Sequence, residues 1–163
     1  MGGHRTLLFM AGEGAETAAS IFRKIDAPVT VMNAPAGSAI TLKLLRSVYT
    51  KGLEALAVEC LLTAQQAGLV PDLIAALQDL DHIKNSELMQ VMVQTHIRHA
   101  SRRLLEVSQA KEQVNAFGVS SLVTDGIQKR FSKTKQGLDK KLIEGELSFE
   151  ESLSWLITNE SNV

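Results

Sequence analysis

An apolar pattern with helical spacing opens at Ser38 and runs without a break to Gly68. Leu42, Leu45, Tyr49, Leu53, Leu56, Cys60, Ala64 and Ala67 follow one another at intervals of three or four. A second stripe holds Leu44, Val48, Ala55 and Leu62. Residues so spaced stack on a helix face. Two stripes leave little of the circumference polar, and such a helix is expected to lie buried at the centre of its domain. Ser38 is suited to cap its start. Gly68 with Pro71 beyond it is a stop signal. The spacing therefore predicts a helix over 38–67, roughly 45 Å long at 1.5 Å per residue.

A second long helix is predicted over 86–115. Ser86 is placed to cap it, and Gly118 to stop it. Met89, Val93, Ile97, Ala100, Leu104, Val107 and Val114 form its apolar stripe; His96, His99, Arg103 and Glu106 lie on the opposite side. Shorter helices are predicted over 71–80 and 120–131. From Ser132 a tail alternates Lys-rich and Glu-rich stretches, and Phe149, Leu153, Trp155 and Leu156 give it a weak amphipathic helix that can dock on the domain or on a partner.

The beginning of the chain differs. Thr6 to Ala11 is a short apolar run ended by Gly12 and predicts a strand buried on both faces. Glu16–Lys24 predicts a short helix, and Val29–Met32, after Pro28, a second strand. Two strands alone do not make a stable sheet, so residues 1–35 are expected to lean on something else. The fold class expected is mainly α. Two long helices dominate residues 36–163, preceded by a short β-α-β unit.

Composition removes several function classes. The formal net charge is -1, so no global field draws nucleic acid or an acidic membrane. One Trp and one Tyr beside five Phe leave few rings for stacking bases. The longest apolar stretch, around Leu53 to Ala64, is broken by Glu54 and Glu59 and is shorter than the roughly 20 residues of a membrane span. No signal-peptide core follows Met1: about five apolar residues precede Gly12, where roughly 7–15 are needed. The single cysteine, Cys60, forms no intrachain disulfide and is expected to pack in its apolar run. A reducing cytoplasm fits.

Three segments carry candidate chemistry. Gly12-Glu13-Gly14-Ala15-Glu16-Thr17 follows a strand and opens a helix, the context of a dinucleotide fingerprint. Thr17 stands at the third Gly/Ala position, and Glu13 and Glu16 would set negative charge beside a pyrophosphate. The plainer reading is a tight strand-to-helix turn. In the second segment Lys43 sits about two turns into a mostly apolar helix. Ser47, Thr50 and Glu54 follow on its side at +4, +7 and +11. A polar stripe on such a helix faces either solvent or a cleft. In the third, His96 and His99 are three apart, but two nitrogens make no metal site without further ligands. With Arg102 and Arg103 they read as a solvated or anion-facing side.

The segment around Lys43 resembles the β-hydroxyacid dehydrogenase and 6-phosphogluconate dehydrogenase superfamily. There, Gly-x-Gly-x-x-x-Lys-x-x-Asn-Asn opens the long helix that joins a Rossmann domain to a helical one. Gly37 and Lys43 stand at the first Gly and the Lys; Ala39 replaces the second Gly, and Arg46-Ser47 the Asn pair. AGSAITLKLLRSVYTKGLEAL is similar to the phosphogluconate dehydrogenase-like subfamily of unassigned substrate, with Thr50-Lys51-Gly52 at its Thr-Lys-Gly. The run from His96 to Glu106 resembles that subfamily's Arg-Arg-x-x-Glu helix. Met1-Gly2-Gly3 through Phe22 is similar to the last Rossmann strands, just after an Asp-x-Ala-Val-x-Gly-Gly substrate segment.

The resemblance covers roughly residues 1–130. It implies that residues 1–35 are the end of a Rossmann-type domain and that 36–163 form a 6-phosphogluconate dehydrogenase C-terminal-like domain for substrate and dimerisation. The implied activity is NAD- or NADP-linked hydride transfer on a small hydroxy acid, with Lys43 as general acid/base. Gly37, Ser47, Gly2 and Gly3 are the implied substrate contacts. A lysine closed into a desolvated cleft can trade a proton near neutral pH, and a serine in place of Asn can hold a water instead. The complete cofactor fingerprint is missing from these residues, so no nicotinamide binding and no turnover are expected of the chain alone. A homodimer is expected. The alternative is a non-enzymatic helical dimerisation or adaptor module.

Overall fold

The computed structural model describes residues 5–140, 143 and 145–160. Its elements are β1 (Leu8–Ala11), α1 (Ala15–Arg23), β2 (Val29–Met32), α2 (Ser38–Ala67), α3 (Val70–Ala76), a 3-10 turn at Gln78–Leu80, α4 (Asn85–Ala116), α5 (Leu122–Lys140) and α6 (Phe149–Glu160). The chain is mostly helical, with a small parallel two-stranded sheet before the long helices. Two compact units divide inside α2, one ending at Glu54 and the other beginning at Ala55.

In the first unit β1 and β2 run parallel, from Leu8 opposite Val29 to Ala11 opposite Met32. Helix α1 packs on the pair. Ala15, Ala19 and Ala27 are buried there, and small side chains let helix and strand backbones come close. Phe9 stays 44% exposed, so the first strand is not buried on both faces as expected. Within this unit α1 is the helix that packs on the strand pair.

Helix α2 has the predicted limits, but Ser38 is its first helical residue and not its cap. The Gly37 carbonyl accepts the Thr41 N–H at 3.0 Å and the Thr41 hydroxyl at 3.2 Å. The helix stops at Gly68 with a paired turn: the Leu69 N–H reaches the Ala64 carbonyl at 2.8 Å and the Gly68 N–H that of Gln65 at 3.2 Å. The expected central burial is overturned. Only Glu59 and Ala64 of α2 are buried, while Leu45 is 61% and Val48 70% exposed. Cys60 is exposed too, against the packing expected of it. An apolar stripe is buried only where another layer faces it, and α4, α5 and α6 direct their apolar sides at one another.

The second unit has its core there. Ile97 and Ala100 of α4, Thr134 and Gly137 of α5 and Ser152 of α6 are buried. A Cβ on Gly137 would stand 2.8 Å from both Trp155 Cη2 and Asn159 Oδ1, so α6 is pressed against the bare backbone of α5. Helix α5 continues to Lys140 rather than stopping at Phe131. Thr134 and Gly137 pack inward, and Lys135 pairs with Asp139 one turn on at 2.6 Å. Helix α4 begins one residue before Ser86, so Ser86 lies inside it, and the cap position is Lys84. A reciprocal cap opens α6: the Ser148 N–H donates to Glu151 Oε2 at 2.7 Å, and the Glu151 N–H to Ser148 Oγ at 3.1 Å. Glu160 binds Arg130 and Lys133 of α5. The bonds from Lys133 and Arg130 hold its carboxyl down to about 2. The tail therefore docks on its own domain.

Candidate functional site

The first candidate is the Lys43 stripe. Lys43, Ser47 and Thr50 lie at i, i+4 and i+7 on α2, hence on one face. All three are exposed. The Thr50 hydroxyl turns back to the Arg46 carbonyl at 3.1 Å. Lys51, eight positions on from Lys43, is tied to Glu54 at 2.5 Å, which lowers the Glu54 carboxyl. Gly37 sits at the mouth of the helix, exposed, with φ +94°. The structure brings Gly37, Lys43 and Ser47 to one end of one helix. Gly2 and Gly3 lie outside the described residues.

The glycine turn between β1 and α1 has two of its backbone N–H groups bound within the chain, that of Ala15 going to the Gly12 carbonyl at 3.0 Å. A pyrophosphate site needs free backbone N–H groups aimed at the anion. The Gly12 N–H is already given to the Ala34 carbonyl at 3.0 Å, and a Cβ there would meet Ala36 Cβ at 3.1 Å. Glu16 stands in the first turn of α1 and pairs with Arg23 at 2.5 Å. The turn binds its own chain.

The second candidate is a groove of about 820 Å³ between α4 and α5. Met92, Ile127 and Phe131 form apolar walls, and His96, Arg103 and Arg130 line it as well. His96 Nε2 lies 2.8 Å from Thr134 Oγ1, and its ring rests on Phe131 with centroids 4.6 Å apart. Burial, then the charges of Arg103 and Arg130, push the imidazole below its usual value. His96 and Arg103 were expected opposite the packed side of α4; both are half-buried and line the groove beside α5. His99 lines a different cavity of about 640 Å³, with Arg98, Ser101 and Leu138. The two histidines therefore serve separate spaces. Among the described residues no group of three or more His, Cys, Asp or Glu is placed to hold a metal ion.

Glu59 was legible only as a charge interrupting an apolar run. It is 5% exposed. Its carboxylate accepts the Val123 N–H at 2.7 Å, the Thr124 N–H at 3.0 Å and the Thr124 hydroxyl at 2.5 Å. It thus caps the start of α5 from another helix. Burial works to raise its pKa, but these hydrogen bonds outweigh it and hold the carboxyl below the usual value. On the neighbouring Cys60, burial and then the Glu59 charge push the thiol up, away from nucleophilic use.

Residues 64–134 match the family model described as a domain of unknown function (DUF1932). That domain is found in the C-terminal region of NAD(P)-binding hydroxyacid dehydrogenase-like proteins. Over 103 residues the chain is 29% identical to an uncharacterized 28.5 kDa protein in the 7S RNA 5' region of Methanothermus fervidus, covering 63% of this chain and 41% of that one. A solved structure, a conserved hypothetical protein from Sinorhizobium meliloti 1021, is similar over 96% of this chain and 52% of its own, with 19% identity and a TM-score of 0.43. The chain thus spans about half the length of these relatives or less. No helix among the described residues is long and apolar enough to cross a membrane.

Proposed function

We propose that this chain supplies the helical, C-terminal part of an NAD- or NADP-dependent hydroxyacid dehydrogenase that acts on a small hydroxy acid in the cytoplasm. The observation that carries the reading is the match of residues 64–134 to a domain found in that region of such proteins. The Gly37–Lys43–Ser47 pattern at the head of α2 supports it. The complete dinucleotide fingerprint is not among these residues, and in this reading the chain's own contribution is to the substrate. Lys43 Nζ gives or takes the proton at the substrate's hydroxyl oxygen. Its positive charge favours an oxyanion developing there. Ser47, one turn further along, orients the same substrate directly or through a water.

The test joins this chain to a family nucleotide-binding half and measures turnover with NADH and NADPH over a panel of keto acids. Lys43→Met keeps the volume and the helix propensity and is expected to lower the rate by about 10²–10⁴-fold, the usual worth of a positioned proton donor. Lys51→Met, which removes a lysine already held by Glu54, should be nearly silent. Full turnover in Lys43→Met, or a greater loss in Lys51→Met, overturns the reading.

A second reading has its own observation, the exposed apolar residues of α2. A stripe of this kind favours association, and it makes the chain a homodimerisation module with or without catalysis. Sedimentation at micromolar concentration tests it. A monomer removes this reading.

A further inference from the structure

We infer that the groove between α4 and α5 binds a small amphipathic monocarboxylate, with the Arg103 guanidinium taking the carboxylate and the apolar walls taking the chain. Four arginines follow Ala55, namely Arg98, Arg102, Arg103 and Arg130. Arg98 is paired with Glu146, Arg102 with Glu106 and Arg130 with Glu160. Arg103 is the most enclosed of them, yet with the described carboxylates it makes no ion pair within 4 Å, unlike the other three. Its polar partner is the neutral Thr95 hydroxyl at 3.0 Å. A half-buried guanidinium beside apolar walls is costly until an anion joins it.

The groove holds no Asp or Glu among its lining residues, so nothing in it repels that anion. Its size, about 820 Å³, suits a small molecule. The class follows from the donor set. Arg130, which also lines the groove, is held by Glu160, so the one fork left, that of Arg103, matches one planar carboxylate through two parallel hydrogen bonds. Met92, Leu122, Ile127 and Phe131 offer surface to an aliphatic chain and nothing to a second charge. His96, fixed by Thr134 and Phe131, forms a rigid edge of the groove. This site goes beyond the dehydrogenase reading, since Lys43 is not among its residues.

The test is a titration of the ¹⁵N-labelled full chain, followed by amide NMR, with hexanoate, hexan-1-ol and inorganic phosphate as separate probes. Hexanoate should shift the Gly126 and Ile127 amides saturably and bind about tenfold or more tighter than hexan-1-ol, the worth of a charge-assisted hydrogen bond. Phosphate should leave these amides in place. Arg103→Met should bring hexanoate down to the level of hexan-1-ol. Arg102→Met, which breaks only a surface pair, should not. Equal binding of hexanoate and hexan-1-ol by the wild type overturns the inference without any variant, should Arg103→Met fail to fold. So do shifts by phosphate at the same amides, hexanoate shifts confined elsewhere, or an unchanged preference in a folded Arg103→Met. Lys43→Met is expected to bind hexanoate as the wild type does, so failure of the dehydrogenase reading leaves this result standing.

Discussion

Helix α2 carries Leu, Val and Ile around most of its circumference and buries only Glu59 and Ala64. Helix α4 has Arg, His, Glu and Gln among its residues and buries Ile97 and Ala100 almost completely. The difference is made by the facing layer. Ile97 and Ala100 lie on the one apolar stripe of α4, on the helix that packs against α5 and α6. Apolar content sets what a helix can bury, and a partner surface decides what it does bury. The comparison also shows where polar residues go when helices pack tightly. Thr134 is 2% exposed and bonds His96 and the Arg130 carbonyl, so a hydroxyl is accommodated in the core of the second unit.

The largest effect that can break this comparison comes from matched truncations in the two helices. Ile97→Ala removes a side chain 2% exposed in the core of the second unit. It is expected to cost about 2–5 kcal/mol in urea denaturation, through lost burial and a cavity. Leu45→Ala, at a residue 61% exposed, should fall within about 0.5 kcal/mol when measured at high dilution. Equal losses at both sites would show that α2 is packed in the dilute chain.

Next in size is the bond by which a side chain of α2 holds the start of α5. Glu59→Ala leaves the Val123 and Thr124 N–H groups without their acceptor and is expected to cost about 1–3 kcal/mol. Glu59→Gln keeps an acceptor without the charge and should cost less. The acid side adds a sign. The Glu59 carboxyl lies below its ordinary value in the fold. Its contribution is therefore fully present above the unfolded-state pKa, near 4.3, and is lost as pH falls through the folded one. Thermal melts between pH 6 and pH 3 should show a steeper acid loss in the wild type than in Glu59→Ala. Parallel curves would mean that the carboxylate is not what holds the start of α5.

What could be read in advance follows the range of the signals. The limits of α2, the body of α4 and the second strand come from local spacing and stop residues, and local signals sit in a row of residues. Gly68 and Gly118 each close their helix with the paired bonds expected there. The continuation of α5 past Phe131 was hidden, because Ser132–Lys140 carries no apolar stripe of its own. It is helical because Thr134 and Gly137 are small enough for α4 and α6 to approach. Glu59 and Val123 are 64 residues apart, and no local pattern ties a lone glutamate to a distant helix start. The same holds for the groove. His96, His99, Arg102 and Arg103 were legible together as a solvated or anion-facing side, but that His96 and Arg103 share a groove with Phe131 and Ile127 follows only from the packing of α4 on α5. Of the site residues implied by resemblance, Lys43 and Ser47 share a face of α2 because residues four apart stack on a helix, and Gly37 stands just before its first residue.

The smallest expected effect on the folded chain tests the exposed side of α2 most directly. Val48 is 70% exposed and lies one turn from Leu44, which is 57% exposed. In the isolated chain a lysine at this position meets water and keeps its helix propensity, so Val48→Lys should change the unfolding free energy by no more than about 0.5 kcal/mol at nanomolar concentration. At an interface between two copies the same lysine is desolvated, and a two-fold arrangement brings two such charges into one buried patch. Its cost there is several times larger. Wild type and Val48→Lys are therefore expected to unfold alike at high dilution and to differ in sedimentation at micromolar concentration, where the variant is a monomer and the wild type a dimer. If both sediment as dimers, association uses another face, and the apolar stripe of α2 belongs to a different partner of the chain. If both are monomers, the dimerisation reading is gone and only the substrate-facing role of the helix remains to be tested.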